Sequence, residues 1–140
     1  MTLIPAELKY TKTHEWVRIE GDIATVGITD FAQKELSDIV YVEITTLGKV
    51  VQQAESIGFI EAVKATSDIY APLSGEVIEA NPLVNKVEGE AVAIVNRDPY
   101  GEGWLCRIRL SAIGSRLSTE MSNLLDHNAY AELVKRSEHH

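Results

Sequence analysis

Turn signals recur at intervals of roughly eight to twelve residues along most of this chain, and that spacing confines it to short strands. Gly21-Asp22, Gly48, Asn81-Pro82, Gly89 and the run Asp98-Pro99-Tyr100-Gly101-Glu102-Gly103 supply the punctuation. Between these breaks the residues alternate or are β-branched. Trp16, Arg18 and Glu20 alternate with Val17 and Ile19, residues 23–28 return after Gly21-Asp22, and the two segments form a hairpin. Residues 39–44 (IVYVEI) are β-branched and aromatic, which suits a strand, and 75–80 give another. Over 104–110, Trp104, Cys106, Ile108 and Leu110 fall on one face, with Arg107 and Arg109 on the other. Such a chain folds as a sandwich or a barrel.

Helical signals are few and peripheral. Asp30 followed by Gln33 fits a capping box, and Phe31, Ala32, Glu35 and Leu36 give a short amphipathic segment. Residues 118–135 read as one or two helices, with Asp126 capping the second and Tyr130, Leu133 and Val134 facing inward. Residues 81–90 and 96–103 read as loops around a short apolar piece at 91–95. The expected organisation is a loose N-terminal arm over 1–12, one domain over 13–136, and a disordered tail over 137–140 ending in two histidines that resemble a tag remnant.

Composition removes whole classes of function. The chain has 140 residues, a formal net charge of −8 and a pI near 4.9, whereas phosphate binding needs clustered Lys and Arg, so no nucleic-acid partner is expected. No run of eighteen apolar residues exists, so no membrane span is expected. A lone Cys106 cannot form an internal disulfide, and no CxxC metal pattern is present. The N-terminus lacks the features of a signal or transit segment, and the chain reads as a cytoplasmic monomer.

One residue stands out chemically. Lys64 lies in Ile57-Gly58-Phe59-Ile60-Glu61-Ala62-Val63-Lys64-Ala65-Thr66-Ser67-Asp68-Ile69-Tyr70-Ala71-Pro72, an apolar strand, a polar tip and a second apolar strand. No arginine or histidine lies within ten residues on either side. A lysine at such a tip points its amine into water, where another protein can find and modify it.

At this loop the chain resembles the glycine cleavage system H proteins, which are lipoyl carriers. The matching blocks are Thr13-His14-Glu15-Trp16-Val17, Ala24-Thr25-Val26-Gly27-Ile28-Thr29-Asp30-Phe31-Ala32-Gln33, Asp38-Ile39-Val40-Tyr41-Val42-Glu43, the lysine loop, Gly75-Glu76-Val77, and Asp98-Pro99-Tyr100-Gly101-Glu102-Gly103-Trp104-Leu105. The resemblance runs from about residue 10 to residue 134, and the order of several separate motifs makes it specific. It implies a mainly β fold, a barrel-sandwich hybrid with short peripheral helices, and lipoate in amide linkage to Lys64 on a β-hairpin tip. It also implies a lipoate ligase or lipoyltransferase that loads the lysine. The further partners would be a pyridoxal-phosphate glycine decarboxylase, a tetrahydrofolate-dependent aminomethyltransferase and a flavin dihydrolipoyl dehydrogenase.

The chain departs from the family pattern in several turns. Thr45-Thr46 stand where Pro-Glu is usual, Ala54 where glycine is usual, and the segments 81–95 and 112–122 look longer. Cysteine at Cys106 is also not expected. A related group of lipoate-binding proteins in bacterial sulfur oxidation, which serve heterodisulfide-reductase-like subunits, is the alternative that these departures keep open.

The residue types suit a carrier. The five-membered dithiolane of lipoate forces its C–S–S–C torsion below the preferred value of about 90°, which eases opening of the S–S bond. Lipoate supplies that chemistry, while the protein supplies position and recognition. Glu61 and Asp68 flank the tip, either as recognition carboxylates for the ligase and the arm or as solvated turn charges. The resemblance puts Glu15 beside a cleft where a loaded arm folds back and a carboxylate can meet a methylamine; the plain alternative is an edge-strand charge. His14 reads as a strand-end residue. Cys106 reads as a buried core thiol, with a redox thiol as the alternative that would need exposure and a lowered pKa. A biotinyl carrier is disfavoured because Val63 and Ala65, not methionines, flank Lys64. An enzyme using Lys64 in a Schiff base is disfavoured because the polar tip offers neither desolvation nor a neighbouring cation.

Overall fold

In the computed structural model, residues 2–112 and 114–138 are described, and His139 and His140, with their expected tag character, lie outside them. The strands are β1 Lys9–Tyr10, β2 Glu15–Glu20, β3 Ile23–Ile28, β4 Ile39–Ile44, β5 Val50–Val51, β6 Ser56–Ala62, β7 Thr66–Tyr70, β8 Gly75–Ala80 and β9 Cys106–Leu110. The helices are α1 Asp30–Leu36, α2 Ile94–Arg97, α3 Gly114–Ser122 and α4 His127–Glu138, with a 3-10 turn over Glu90–Ala93. The strands form two antiparallel sheets, one in the order β1-β2-β3-β9-β8-β5 and one in the order β4-β6-β7. The mainly β architecture with short helices is thus as expected, and neither sheet closes into a barrel.

Apolar residues from both sheets, among them Val17, Val26, Val42, Ile57, Ile60, Ile69, Val77 and Ile108, meet in one core. A second cluster of Leu8, Tyr10, Trp16, Phe31, Tyr130 and Val134 lies on the other side of β2. Trp16 and Val17 are therefore both buried, although a half-exposed strand would bury only one of them. Sequence alternation expects a single inward face here. The second cluster covers the other face because α4 packs over it, with the Tyr10 and Tyr130 rings stacked at 4.6 Å.

This cluster corrects the expected loose arm. Leu8 and Tyr10 are buried, β1 pairs with β2, and Tyr10 and Leu125 exchange backbone hydrogen bonds at 2.8 and 2.7 Å. Other local readings shift as well. Thr29, not Asp30, caps α1, its side chain accepting from Ala32 N, while Asp30 accepts from Leu3 N and the Gln33 amide. The apolar piece at 91–95 is helical, with Val92 and Val95 buried three residues apart, and α3 begins at Gly114 rather than at 118. Asp126 does cap α4, accepting from Ala129 N at 2.8 Å.

Ala54, at the position where the family usually has glycine, has φ of 75°. Left-handed backbone is unfavourable for a residue with a Cβ by about 1–2 kcal/mol. The smaller unfolded-state entropy of alanine offsets part of this. Ala54→Gly is expected to stabilise the fold by about 1 kcal/mol, raising Tm by about 3 °C. A lowered Tm in calorimetry would contradict the reading.

Candidate functional site

The Lys64 hairpin is shorter at its tip than the sequence suggests. β6 and β7 pair up to Glu61 opposite Thr66, and Ala62 N donates to Ala65 O at 2.7 Å. Only Val63 and Lys64 remain between those paired residues. Val63 N donates to Asp38 O at 3.0 Å, which ties the tip to the start of β4. Val63 is 71% exposed, Lys64 is exposed, and among the described residues Lys64 joins no ion pair.

The base of the hairpin is rigid by contrast. β6 is the middle strand of its sheet, and Ile57, Ile60 and Ile69 anchor the hairpin in the core. Gly58 passes so close to β4 that a Cβ there would sit 2.2 Å from Glu43 O and 3.0 Å from Ile44 Cα. Gly75 is equally confined, with a Cβ position 2.1 Å from Arg109 O, so both glycines serve close backbone approach. Backbone order and side-chain freedom are thus divided at the lysine.

The carboxylates separate into two kinds. Glu61 and Asp68 are exposed and lie on one face of the β6–β7 ribbon, with Asp68 opposite Phe59 and Glu61 opposite Thr66. Glu15 is different: it is only 1% exposed, which removes the edge-strand reading. Its Oε1 accepts from the Thr11 and Thr13 hydroxyls, each at 2.5 Å, and its Oε2 accepts from Tyr70 N at 3.2 Å. Burial pushes its pKa up, and the three hydrogen bonds oppose that rise without cancelling it. About four lone-pair positions exist on a carboxylate, so room for another donor remains.

Two clefts meet at Thr13 and Glu15. A cleft of about 670 Å³ opens between Thr11, Gln53, Tyr70 and Leu125. A smaller one of about 150 Å³ lies between β7 and α1, lined by His14, Glu15, Phe31, Glu35, Ser67 and Asp68 among others. At about 3.3 Å per strand residue, Asp68 is about 13 Å along the chain from Lys64 and Tyr70 about 20 Å. The smaller cleft is the nearer one to the lysine, and its lining combines apolar residues with Glu15, Glu35 and Asp68.

Cys106 does not belong to this site. It is fully buried on β9, and burial pushes its thiol up to about 12, so it has neither the exposure nor the lowered pKa that exchange requires. The redox reading of Cys106 is corrected accordingly. Among the described residues no group of His, Cys, Asp and Glu could hold a metal ion. Among the described residues no helix is long and apolar enough to cross a membrane.

The sequence profile of the glycine cleavage H-protein matches residues 8–137. The chain belongs to the glycine cleavage H-protein family. A glycine cleavage system H protein of Rubrobacter xylanophilus is 57% identical over 120 residues, covering 86% of this chain and 92% of that one. One from Marinobacter nauticus is 47% identical over 139 residues, spanning 99% of this chain and the whole of its own. The crystal structure of a glycine cleavage system H protein from Mycobacterium marinum superposes with a TM-score of 0.76 at 36% identity, covering 92% of this chain and 97% of that one. Proteins of this family carry lipoate covalently on a lysine.

Three parts of the site escaped the sequence reading. Thr11 and Thr13 cradle the Glu15 carboxylate, and the Thr-x-Thr-x-Glu spacing was available as a signal. Glu120 is buried and accepts from Ser74 N at 2.9 Å and Ser74 Oγ at 2.6 Å, fixing α3 against the exit of the lysine hairpin. His14 is bound to Tyr130, 116 residues away, and no local pattern could announce that contact.

A buried carboxylate of raised pKa has a sign-definite effect on stability. Its folded pKa lies above the unfolded value near 4.5, so its contribution is complete below that value and is lost as pH rises through the folded pKa. The Tm of the wild type minus that of Glu15→Gln is therefore expected to fall as pH is raised from about 4 to 8. A difference that grows with pH would contradict the burial argument.

Proposed function

We propose that Lys64 is the lipoyl-bearing lysine of this chain, and that the chain serves glycine cleavage as a carrier without catalytic residues of its own. The observation that carries the reading is the exposed amine at the centre of a two-residue turn whose flanking strands are anchored in the core. Bound lipoate would supply a dithiolane that opens to a thiol able to hold an aminomethyl group.

The protein's own residues supply the rest. The β6–β7 ribbon holds the base of the arm in one place, and the lysine torsions let it sweep. Glu61 and Asp68 present negative charge on one face of the ribbon that carries the amine, where a lipoate ligase or lipoyltransferase with a basic surface would engage the tip. Glu15, Asp68 and Glu35 give the small cleft an acidic lining that favours an ammonium, and Phe31, Ile28 and Ile60 give it an apolar wall for the methylene chain. A cation next to the buried Glu15 would relieve the desolvation that raises its pKa. The glycine decarboxylase, the aminomethyltransferase and the dihydrolipoyl dehydrogenase are the partners this reading requires.

The test is reconstitution. The lipoylated chain, mixed with glycine decarboxylase, is expected to support exchange of bicarbonate into glycine, whereas the unmodified chain is not. Equal exchange with and without lipoate would reject the proposal.

A further inference from the structure

His14 occupies a costly backbone conformation at the edge of the small cleft. Its φ is 73°, held by His14 N donating to Thr11 O at 3.2 Å and by Thr29 N donating to His14 O at 3.0 Å. A non-glycine residue kept in this region against its preference is over-determined by its surroundings. The ring packs on Phe31 with centroids 4.8 Å apart. Its Nδ1 is 2.8 Å from the Tyr130 hydroxyl, which in turn is 2.7 Å from Thr29 Oγ1.

Counting hydrogens fixes the direction of this chain. Thr29 is fully buried, and its Oγ1 already accepts from Ala32 N. Among the described residues the Tyr130 oxygen is the only acceptor within reach of the Thr29 hydroxyl hydrogen. If Tyr130 donated to Thr29, that hydrogen would be buried without a partner, at a penalty of about 1–3 kcal/mol. Thr29 therefore donates to Tyr130, Tyr130 donates to His14 Nδ1, and the ring proton sits on Nε2. Tyr130 occupies the Nδ1 edge and is not among the residues lining the cleft, which leaves the Nε2 edge as the ring nitrogen open to the cleft that His14 lines.

We propose that His14 is a neutral positioning residue that donates from Nε2–H to an acceptor atom of the arm held in the cleft beside Lys64, a carbonyl oxygen or a sulfur rather than its ammonium, locked in that tautomer by the Thr29–Tyr130 hydroxyl relay. This rests on the reading of Lys64 as the lipoyl site. Protonating Nδ1 would reverse the relay and strand the Thr29 hydrogen, and burial of the ring likewise lowers its pKa. The acidic residues that line the same cleft are Glu35 on α1, Glu15 on β2 and Asp68 on β7, and of these Glu35 opposes the downward shift of the ring. A neutral His14 adds no positive charge to a cleft whose lining residues include Glu15, Glu35 and Asp68.

Nitrogen-detected NMR of the unmodified full chain at pH 7.5 reads the tautomer directly. The expected result is an Nε2-protonated His14 with a hydrogen-bonded Nδ1, whose resonance moves to the unbonded position in Tyr130→Phe. An Nδ1-protonated ring, or no response to Tyr130→Phe, overturns the relay. The second measurement uses the lipoylated chain loaded with an aminomethyl group. Water cleaves that carbon–sulfur bond, its oxygen leaving in formaldehyde as ammonia departs and the thiol is restored, and mass spectrometry follows the loss. His14→Asn, which can reach Tyr130 but not the cleft, is expected to lose the group about fivefold faster. His14→Gln, whose amide nitrogen reaches the Nε2 position, is expected to stay within about twofold of the wild type. Equal rates for wild type and His14→Asn overturn the positioning role. A chain that accepts no lipoate refutes the reading of Lys64 at the loading step, while the NMR result still decides the tautomer.

Discussion

Lys64→Arg is expected to reduce carrier activity in a glycine decarboxylation assay to the level seen with no carrier, while Tm stays within about 1 °C of the wild type. Arginine keeps the positive charge and most of the length, but its delocalised guanidinium does not form the amide that an amine forms. Lys64 is exposed and joins no ion pair among the described residues, so the fold has little to lose from the exchange. The expected combination is therefore complete loss of function with unchanged stability. Residual carrier activity well above background in Lys64→Arg would show that another group does the carrying.

A large loss of stability is expected from Gly58→Ala. An added methyl group would lie 2.2 Å from Glu43 O, 3.0 Å from Ile44 Cα and 3.1 Å from Glu43 C, and all three are backbone atoms that cannot rotate away. β4 and β6 would have to part at the Ile44–Gly58 pair, where β6 also carries an irregularity in its pairing with β7 between Ser56 and Gly58. Overpacking of this kind costs about 3 kcal/mol, which corresponds to a fall in Tm of about 10 °C for a chain of this size. The lysine tip is untouched by the substitution, so a stability loss with normal lipoylation at low temperature is expected. Calorimetry and ligase assays on one sample measure both, and an unchanged Tm would refute the packing argument.

How much of this was legible in the sequence depends on how local each signal is. The lysine hairpin could be read because a strand, a tip and a second strand lie within twenty residues, and their alternation is that of a ribbon anchored on one side. Asp126 could be read as a cap because its partner is three residues on. The cap of α1 was displaced by one residue because Thr29 and Asp30 are both competent, and the distant Leu3 N engages Asp30. Leu8 and Tyr10 looked like a loose arm because what covers them, Leu125 and Tyr130, comes from the opposite end of the chain. The helical character of residues 91–95 was hidden because Val92 and Val95 in so short a segment suit a buried strand as well as a helix turn.

The site divides in the same way. Lys64, Glu61 and Asp68 were legible as a local cluster. Glu15 was placed near the cleft by resemblance, but its burial and its threonine cradle emerge only when β2 meets the end of β7. His14 looked like an ordinary strand-end residue, because Thr29 and Tyr130 reach it only through α1 and α4. Cys106 kept two readings in the sequence, and only the packing of β9 between β3 and β8 decides for the inert one.

Peptide mapping of the wild-type chain after incubation with lipoate and a lipoate ligase decides whether Lys64 bears the arm. A lipoyl group on Lys64 and on no other lysine is expected. A modification found on a different lysine, or an unmodified Lys64 under conditions that load an authentic family member, would contradict it.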